Sequence, residues 1–303
     1  MAHIPVKDIA ASVRARLQNV AKKSGRDFDA VLLQYLQERF LYRLSRSPYR
    51  RHLILKGALL FLAYDMSLLR PTRDIDFLGM ATANDLEQMR DIVKEIARIE
   101  LADGVRFNDE TISVERIKED ADYEGVRVKL EGRLTAAKKV LQLDIGFGDV
   151  VVAGPVAMDF PVLLADQPIP NLMVYSRESA IAEKFEALVS LNILTSRMKD
   201  IYDILFLAER ETFVISILRE AILSTFSRRA TLLEDRRLVF SNEFAANKDK
   251  SAQWNAFLRR SRLDSSLSLA EAMARLEAFV EPLCSTESES NATWNPSERC
   301  WMV

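Results

Sequence analysis

The sequence predicts an α+β fold: a small mixed β-sheet with flanking helices, followed by an all-helical lobe. Three observations carry this. Apolar residues recur at helical spacing through the first 46 positions. Alternating β-branched stretches then occupy about 105–149. Helical spacing returns after a proline-rich connector.

Val6, Ile9, Ala10, Val13, Leu17 and Val20 mark a helix over 6–23. Val31, Leu32, Tyr35, Leu36 and Phe40 mark a second over 28–46, which Pro48 ends. HLILKG reads as a short strand closing on Gly57, ALLFLAYDM as a buried helix, and DIDFLGM as a strand. TANDLEQMRDIVKEIARI is an amphipathic helix capped near Thr82 or Asn84. GVRFN, ISVERIKE, GVRVKLEGRL and KKVLQLDIGFGD follow as strands separated by charged breaks. Residues 151–175 hold four of the nine prolines and read as a connector with extended pieces. Helices are expected over 177–194, 197–210, 213–226 and 268–282, with a polar loop near 241–252. The expected organisation is a sheet lobe with N-terminal helices (1–170), a helical lobe (171–284) and a disordered tail (285–303).

The 303 residues are 49% hydrophobic and 28% charged, an ordinary globular balance. No apolar run approaches the ~18 residues of a membrane span. The N-terminus shows no secretory signal, so a cytoplasmic location is expected. Cys284 and Cys300 make neither a disulfide framework nor a zinc site, which fits that location. With His3 and His52 the only histidines, a histidine-rich metal site or a Ser-His-Asp triad is nearly excluded. The net charge of −2 argues against the whole molecule being an electrostatic nucleic-acid binder. One local exception is Arg39, Arg43, Arg46, Arg50 and Arg51, interleaved with Tyr42 and Tyr49. That stretch is either a solvated helix face or a basic, aromatic rim for a polyphosphate backbone.

Chemistry concentrates in four places. RPTRDIDF puts Asp74 and Asp76 on the same face of a strand, their Cα atoms about 6.6 Å apart. Two such charges need a cation, and oxygen ligands suit Mg²⁺ or Mn²⁺. The alternative is a solvated strand end paired to Arg70 and Arg73. LKGALLF sets Lys56 and Gly57 at a strand–helix turn, where bare backbone can approach a phosphate. LQLDIGFGD places Asp144 inside an apolar strand, where it needs a partner, with Asp149 as a turn residue. In SRESAIAEKFEAL, Ser176 caps a helix whose stripe of Ile181, Phe185 and Leu188 includes Lys184. That lysine must snorkel outward or meet an anion, either Asp200 and Asp203 of the next helix or a nucleotide phosphate. Arg197, Asp200 and Asp203 share one helix face.

Taken in order over about residues 50–205, these pieces resemble the AbiEii/AbiGii class of nucleotidyltransferase toxins from bacterial toxin–antitoxin and phage-abortive systems. The resemblance rests on Gly57; Arg70, Thr72, Asp74 and Asp76; Asp144; Ser176, Glu178 and Lys184; and Arg197, Asp200 and Asp203. Ala58 follows Gly57 where the family usually has glycine or serine, so a side-chain hydroxyl on the phosphates is missing. The resemblance implies a nucleotidyltransferase palm and Mg²⁺-dependent (or Mn²⁺-dependent) transfer of NMP from an NTP. Asp74, Asp76 and Asp144 would be the metal ligands. Lys56, Gly57, Arg70, Thr72, Arg197 and Asp200 would bind nucleotide. Lys184, oriented by Asp203, would neutralise the leaving pyrophosphate. The implied acceptor is RNA, such as the 3′ end of a tRNA, and the implied partner a cognate antitoxin. Two alternatives remain: transfer to a small molecule or protein, or a non-catalytic nucleotide-binding partner protein.

Overall fold

The computed structural model describes residues 8–64, 72–120, 123–263, 266–285 and 291–303. The chain divides into two compact units. The first runs to Gly148 and resumes over Val156–Val174; the second takes Asp149–Pro155 and Tyr175–Val303.

The first unit begins with α1 (Ile9–Ser24) and α2 (Phe28–Arg46). Asp8 caps α1 by accepting from the Ala11 amide at 2.9 Å, and Gly25 ends it in the left-handed region at φ 64°. Then come β1 (Leu53–Lys56), α3 (Gly57–Ala63), β2 (Asp74–Gly79), α4 (Leu86–Ala97), β3 (Val105–Asp120), β4 (Tyr123–Leu134) and β5 (Ala137–Phe147). Two short strands, β6 (Val156–Asp159) and β7 (Asn171–Val174), are the extended pieces of the connector. The seven strands form one mixed sheet in the order β3-β4-β5-β2-β1-β7-β6. β2 runs parallel to β5 and β1 parallel to β7, while the remaining pairs are antiparallel. GVRFN and ISVERIKE, expected as two strands, are one strand with a register shift between Asn108 and Ser113.

Alternation along β2 and β5 separates two faces. Ile75, Phe77, Leu143 and Ile145 are buried with the core, and Asp74, Asp76 and Asp144 lie on the other face. α2 packs against β5 and β7, and α4 against β3 and β4.

The arginine stripe of α2 fits neither reading given above at its centre. Arg39 and Arg43 are buried. Arg43 forms an ion pair with Asp103 at 2.7 Å and donates to the carbonyls of Ile99, Val105 and Arg39. Arg39 donates to the Pro168 carbonyl at 3.2 Å. Their donors are spent on loop backbone that would otherwise be buried without partners. Beside them Glu38 is fully buried, and both its oxygens accept from the Leu163 amide, at 2.9 and 3.0 Å. Burial pushes its carboxyl from the ordinary 4.5 up to about 8; the Leu163 amide and Arg39 oppose that rise.

The second unit contains α5 (Arg177–Leu191), α6 (Met198–Ala208), β8 (Phe213–Val214), α7 (Ile215–Arg228), α8 (Arg236–Val239), α9 (Asn242–Ala245), α10 (Lys248–Arg260) and α11 (Leu269–Cys284). It ends in β9 (Thr293–Asn295) and β10 (Cys300–Met302). No described helix is long and apolar enough to cross a membrane. Two sequence expectations are corrected here. The polar loop over 241–252 is α9 and the start of α10. Asn247 caps α10, and Lys250, Trp254, Phe257 and Leu258 bury one stripe of it. Lys250 donates to the Thr195 carbonyl at 2.6 Å and Trp254 to that of Leu267 at 2.8 Å. The tail read as disordered over 285–303 is ordered at 291–303. There β9 pairs with β8 and β10, making a small sheet beside the helices. The cause is two tryptophans. Trp294 is buried, donates to the Ala208 carbonyl at 2.6 Å and meets the Phe279 ring at 4.7 Å. Trp301 stacks on Phe279 and donates to its carbonyl at 3.0 Å. Residues 286–290 lie outside the described residues.

Trp294→Ala should therefore destabilise the second unit by about 3–5 kcal/mol, read from its denaturant midpoint. A loss below about 1 kcal/mol would return the tail to the status of a dispensable appendage.

Glu38 makes stability fall as pH rises. The folded chain keeps the Glu38 proton up to about 8, whereas the unfolded chain releases it near 4.5. Its contribution is thus fully present below 4.5 and is lost as pH rises through 8. Denaturation at pH 5 to 8.5 should show a slope of up to ~1.4 kcal/mol per pH unit that Glu38→Gln flattens. An unchanged slope in that variant would sink the assignment.

Candidate active site

The register of the central sheet assembles the site. β2 lies between β1 and β5, so Asp76 is the Cα partner of Lys56 on one side and of Asp144 on the other. Asp144 is in turn the partner of Arg127 on β4. Lys56, Asp76, Asp144 and Arg127 therefore form one row across four strands, each step about 4.8 Å. Asp74 stands two residues along β2, opposite Gln142. The turn into β2 is held by α2: Gln37 donates to the carbonyls of Thr72 and Arg73 at 3.4 and 3.1 Å. The Thr72 hydroxyl donates to the Asp74 carbonyl at 3.3 Å, so it shapes the strand entry. Arg70 lies outside the described residues.

Gly57 has a steric reason to be glycine. Its φ is +68°, and a Cβ built on it would lie 1.9 Å from Asp76 Oδ2 and 2.7 Å from Asp76 Cβ. The Asp76 carboxylate thus rests directly against bare backbone at the start of α3.

Asp144 is mostly buried and bound on the opposite side. Arg127 donates to it through Nε to Oδ1 and Nη2 to Oδ2, both at 2.8 Å, and Gln142 Nε2 donates to Oδ2 at 3.1 Å. The hydrogen bond to Asp144 makes Arg127 hold its proton more tightly than an ordinary arginine. Burial opposes this, and the charges of Asp144, Asp74 and Glu115 reinforce it. Arg127 was not singled out from the sequence. GVRVKLEG shows a strand, but the pairing of Arg127 with Asp144 needs the register between β4 and β5. Among the described residues, no three His, Cys, Asp or Glu side chains come together as a group able to hold a metal ion.

In the second unit, Ser176 caps α5 by accepting from the Ser179 amide. Lys184 on α5 meets both carboxylates of α6: Asp203 Oδ2 at 2.6 Å and Asp200 Oδ1 at 3.0 Å. Arg197 Nε lies 2.9 Å from Asp200 Oδ2. Burial alone would lower the Lys184 pKa; Asp200 and Asp203 outweigh it and hold the ammonium above its ordinary value. Burial would raise the Asp200 pKa, and Lys184, Arg197 and Lys199 outweigh that to lower it. Lys184 and the partly exposed Arg197 thus offset the two buried carboxylates.

A second buried set surrounds Arg229, whose guanidinium reaches Glu186 at 2.9 Å and Glu183 and Asp149 at 3.4 Å each. Burial opposes its charge, and those carboxylates outweigh it to raise its pKa. Asp149, expected as a turn residue, is thus part of an ion cluster. Glu183 also accepts from the Tyr175 hydroxyl at 2.9 Å.

The family model of the AbiEii nucleotidyl transferase toxin, type IV toxin–antitoxin system, matches residues 39–280. Among solved structures, the chain is similar to MenT4, a nucleotidyltransferase toxin from Mycobacterium tuberculosis. They share 19% identity and a TM-score of 0.51, over 89% of this chain and 97% of that one. It is also similar to JHP933 from Helicobacter pylori, with 18% identity and a TM-score of 0.40 over 84% of this chain and 98% of that one. No curated protein matches the sequence.

Gly57→Ala should cost more stability than Gly25→Ala, by about 1–3 kcal/mol. Both glycines have positive φ, at +68° and +64°, but nothing lies within 4 Å of a Cβ at Gly25. The difference isolates the contact with Asp76. Equal losses in chemical denaturation would mean that Asp76 does not lie against Gly57.

Proposed function

The chain belongs to the AbiEii nucleotidyl transferase toxin family of type IV toxin–antitoxin systems, and from that premise we propose that it transfers NMP from an NTP to an RNA 3′ end, such as that of a tRNA. The observation that carries this is the placement of Asp74 and Asp76 on one face of β2, with Asp76 against the bare backbone of Gly57. In the reaction, an acceptor hydroxyl oxygen bonds to the α-phosphorus as its proton passes to solvent, the bond from that phosphorus to the bridging oxygen breaks, and pyrophosphate leaves.

The donor set tests the metal that the family implies. Asp74 and Asp76 offer hard oxygen ligands on one face and suit Mg²⁺ or Mn²⁺. Asp144 has both oxygens engaged by Arg127. A divalent ion, when bound, would neutralise triphosphate charge and favour the hydroxyl's attack. Lys56 and the Gly57 backbone would meet the triphosphate. Lys184 would neutralise the departing pyrophosphate, held in position by Asp200 and Asp203. An antitoxin encoded with the toxin is the expected biological partner. RNA as acceptor rests on the family, since burial of Arg39 and Arg43 removes the centre of the basic stripe from any such contact.

Incubating the full chain with total RNA, Mg²⁺ and each labelled NTP tests the reading. Label should enter RNA, and Asp76→Asn should reduce it by about a hundredfold or more. Label on protein or on a small molecule would overturn the RNA acceptor, and near-native labelling by Asp76→Asn would overturn the metal assignment. Lys184→Met separates catalysis from folding: it should lose labelling at temperatures where its circular dichroism is still native. Full labelling in that state would make Lys184 a counter-ion alone.

A further inference from the structure

The sheet row Lys56–Asp76–Asp144–Arg127 has two ends of different character. At one end Gly57 follows Lys56 and lays bare backbone against Asp76. At the other end Arg127 stands on β4, two strand spacings or about 9.6 Å from Asp76. The donors of Arg127 are only partly used. Nε and Nη2 bind the two Asp144 oxygens at 2.8 Å, and Gln142 steadies the same carboxylate at 3.1 Å. Nη1 has no partner among the described residues, and the side chain is 31% exposed, whereas Asp144 is buried. A guanidinium does not lose its proton at ordinary pH, so this is a permanent charge with a fixed aim and an open edge. That edge lies on the face of the sheet that carries Asp74 and Asp76.

The geometry of phosphoryl chemistry gives the two ends different tasks. In a displacement at the α-phosphorus, the attacking and leaving oxygens lie roughly in line, on opposite sides of that atom. With the triphosphate at Gly57, pyrophosphate leaves on the β1 side, and the attacking hydroxyl enters from the side of β5 and β4. Resting on the nucleotidyl-transfer reading above, we infer that Arg127 binds the acceptor and not the nucleotide: its open edge takes a backbone phosphate of the RNA beside the attacking terminal hydroxyl. Asp144 is then the positioning residue that aims the guanidinium. A phosphodiester oxygen suits this edge, because it is anionic and accepts charge-assisted hydrogen bonds from a guanidinium. Single-stranded RNA carries one such group at every nucleotide, whereas a protein hydroxyl brings none. Asp76 and Asp144 are cross-strand partners of the same residue type, and the neighbouring strand divides their work. Asp76 lies beside the backbone assigned to the triphosphate, and Asp144 holds the cation assigned to the acceptor.

The test reads binding without turnover. A short fluorescein-labelled single-stranded RNA with a free 3′ hydroxyl is titrated with the full chain by anisotropy, over a series of salt concentrations and without NTP. Binding of a fluorescent NTP with Mg²⁺ is measured in parallel. Arg127→Gln should weaken RNA binding and flatten the log–log salt slope by about 0.7, the amount for one phosphate contact on a single strand. Its binding of NTP should stay within about twofold of wild type, and in labelling assays the KM for RNA should rise while that for NTP does not. Arg98→Gln, an exposed charge just past α4, should leave the RNA slope as in wild type. Because Arg127→Gln leaves the Asp144 carboxylate uncompensated, the double variant Arg127→Gln with Asp144→Asn is made alongside it and should show the same loss. If the single variant does not fold, the double variant decides. Unchanged RNA affinity and slope in a folded variant, or a loss confined to NTP binding, would overturn the inference, while labelling of RNA by wild type would keep the transfer reading intact. Wild type that labels no RNA would remove the transfer reading itself, and this inference with it.

Discussion

Like charge crowded onto one sheet face is the constraint around which the first unit is arranged. β2 contributes two carboxylates and β5 a third at the adjoining position. Such a face is stable only if something cationic or strongly polar lies next to each of them. The strand order meets this locally. Placing β4 beside β5 brings Arg127 opposite Asp144, and placing β1 beside β2 brings Lys56 opposite Asp76. The reverse faces of β2 and β5 carry Ile75, Phe77, Leu143 and Ile145, which anchor the sheet against its core. Register ties the two faces together, because a slip of one residue would bury the carboxylates and expose the apolar set.

The same solution recurs elsewhere in each unit, with less exposure. Arg43 with Asp103, Lys184 with Asp200 and Asp203, and Arg229 with Glu183, Glu186 and Asp149 are ion sets at buried or mostly buried positions. Breaking one partner of such a set is costly, since it leaves an uncompensated charge. Glu38 is the contrasting case. Its nearest cation, Arg39, stands 3.8 Å away and directs its own donors to Gln167 and Pro168. The Leu163 amide does not fully compensate burial, so the carboxyl keeps its proton to about 8.

Periodicity made much of this legible in the sequence. The spacing of Val13 and Leu17, and of Val31, Leu32, Tyr35 and Leu36, located α1 and α2 because those residues face the core. DIDF was recognisable because two aspartates in an apolar strand violate its pattern, and SRESAIAEK because a cap precedes an apolar stripe. What stayed hidden depends on partners distant in sequence. Arg127 gains its meaning from a residue 17 positions away on the next strand. Arg39 and Arg43 resemble a solvated face until the carbonyls of Ile99, Val105 and Pro168 are brought to them. The 291–303 segment is polar by composition, yet two tryptophans suffice to order it. α10 was masked in the same way, its stripe being diluted by charged residues.

The setting of Lys184 shows why burial alone does not distinguish a structural cation from a functional one. Its two partners both come from α6, at positions three apart, and Arg197 engages the far oxygen of Asp200. The ammonium needs those carboxylates in order to stay charged at its depth. A charge stabilised in this way is also preorganised: its position is fixed before any anion arrives, and little reorganisation is needed on binding. A purely structural ammonium would be served as well by one carboxylate, and a neutral, apolar replacement of the whole set would serve folding as well. The proposed role of Lys184 at the leaving pyrophosphate calls for such a charged, immobile cation, and its pairing with Asp200 and Asp203 is consistent with that role.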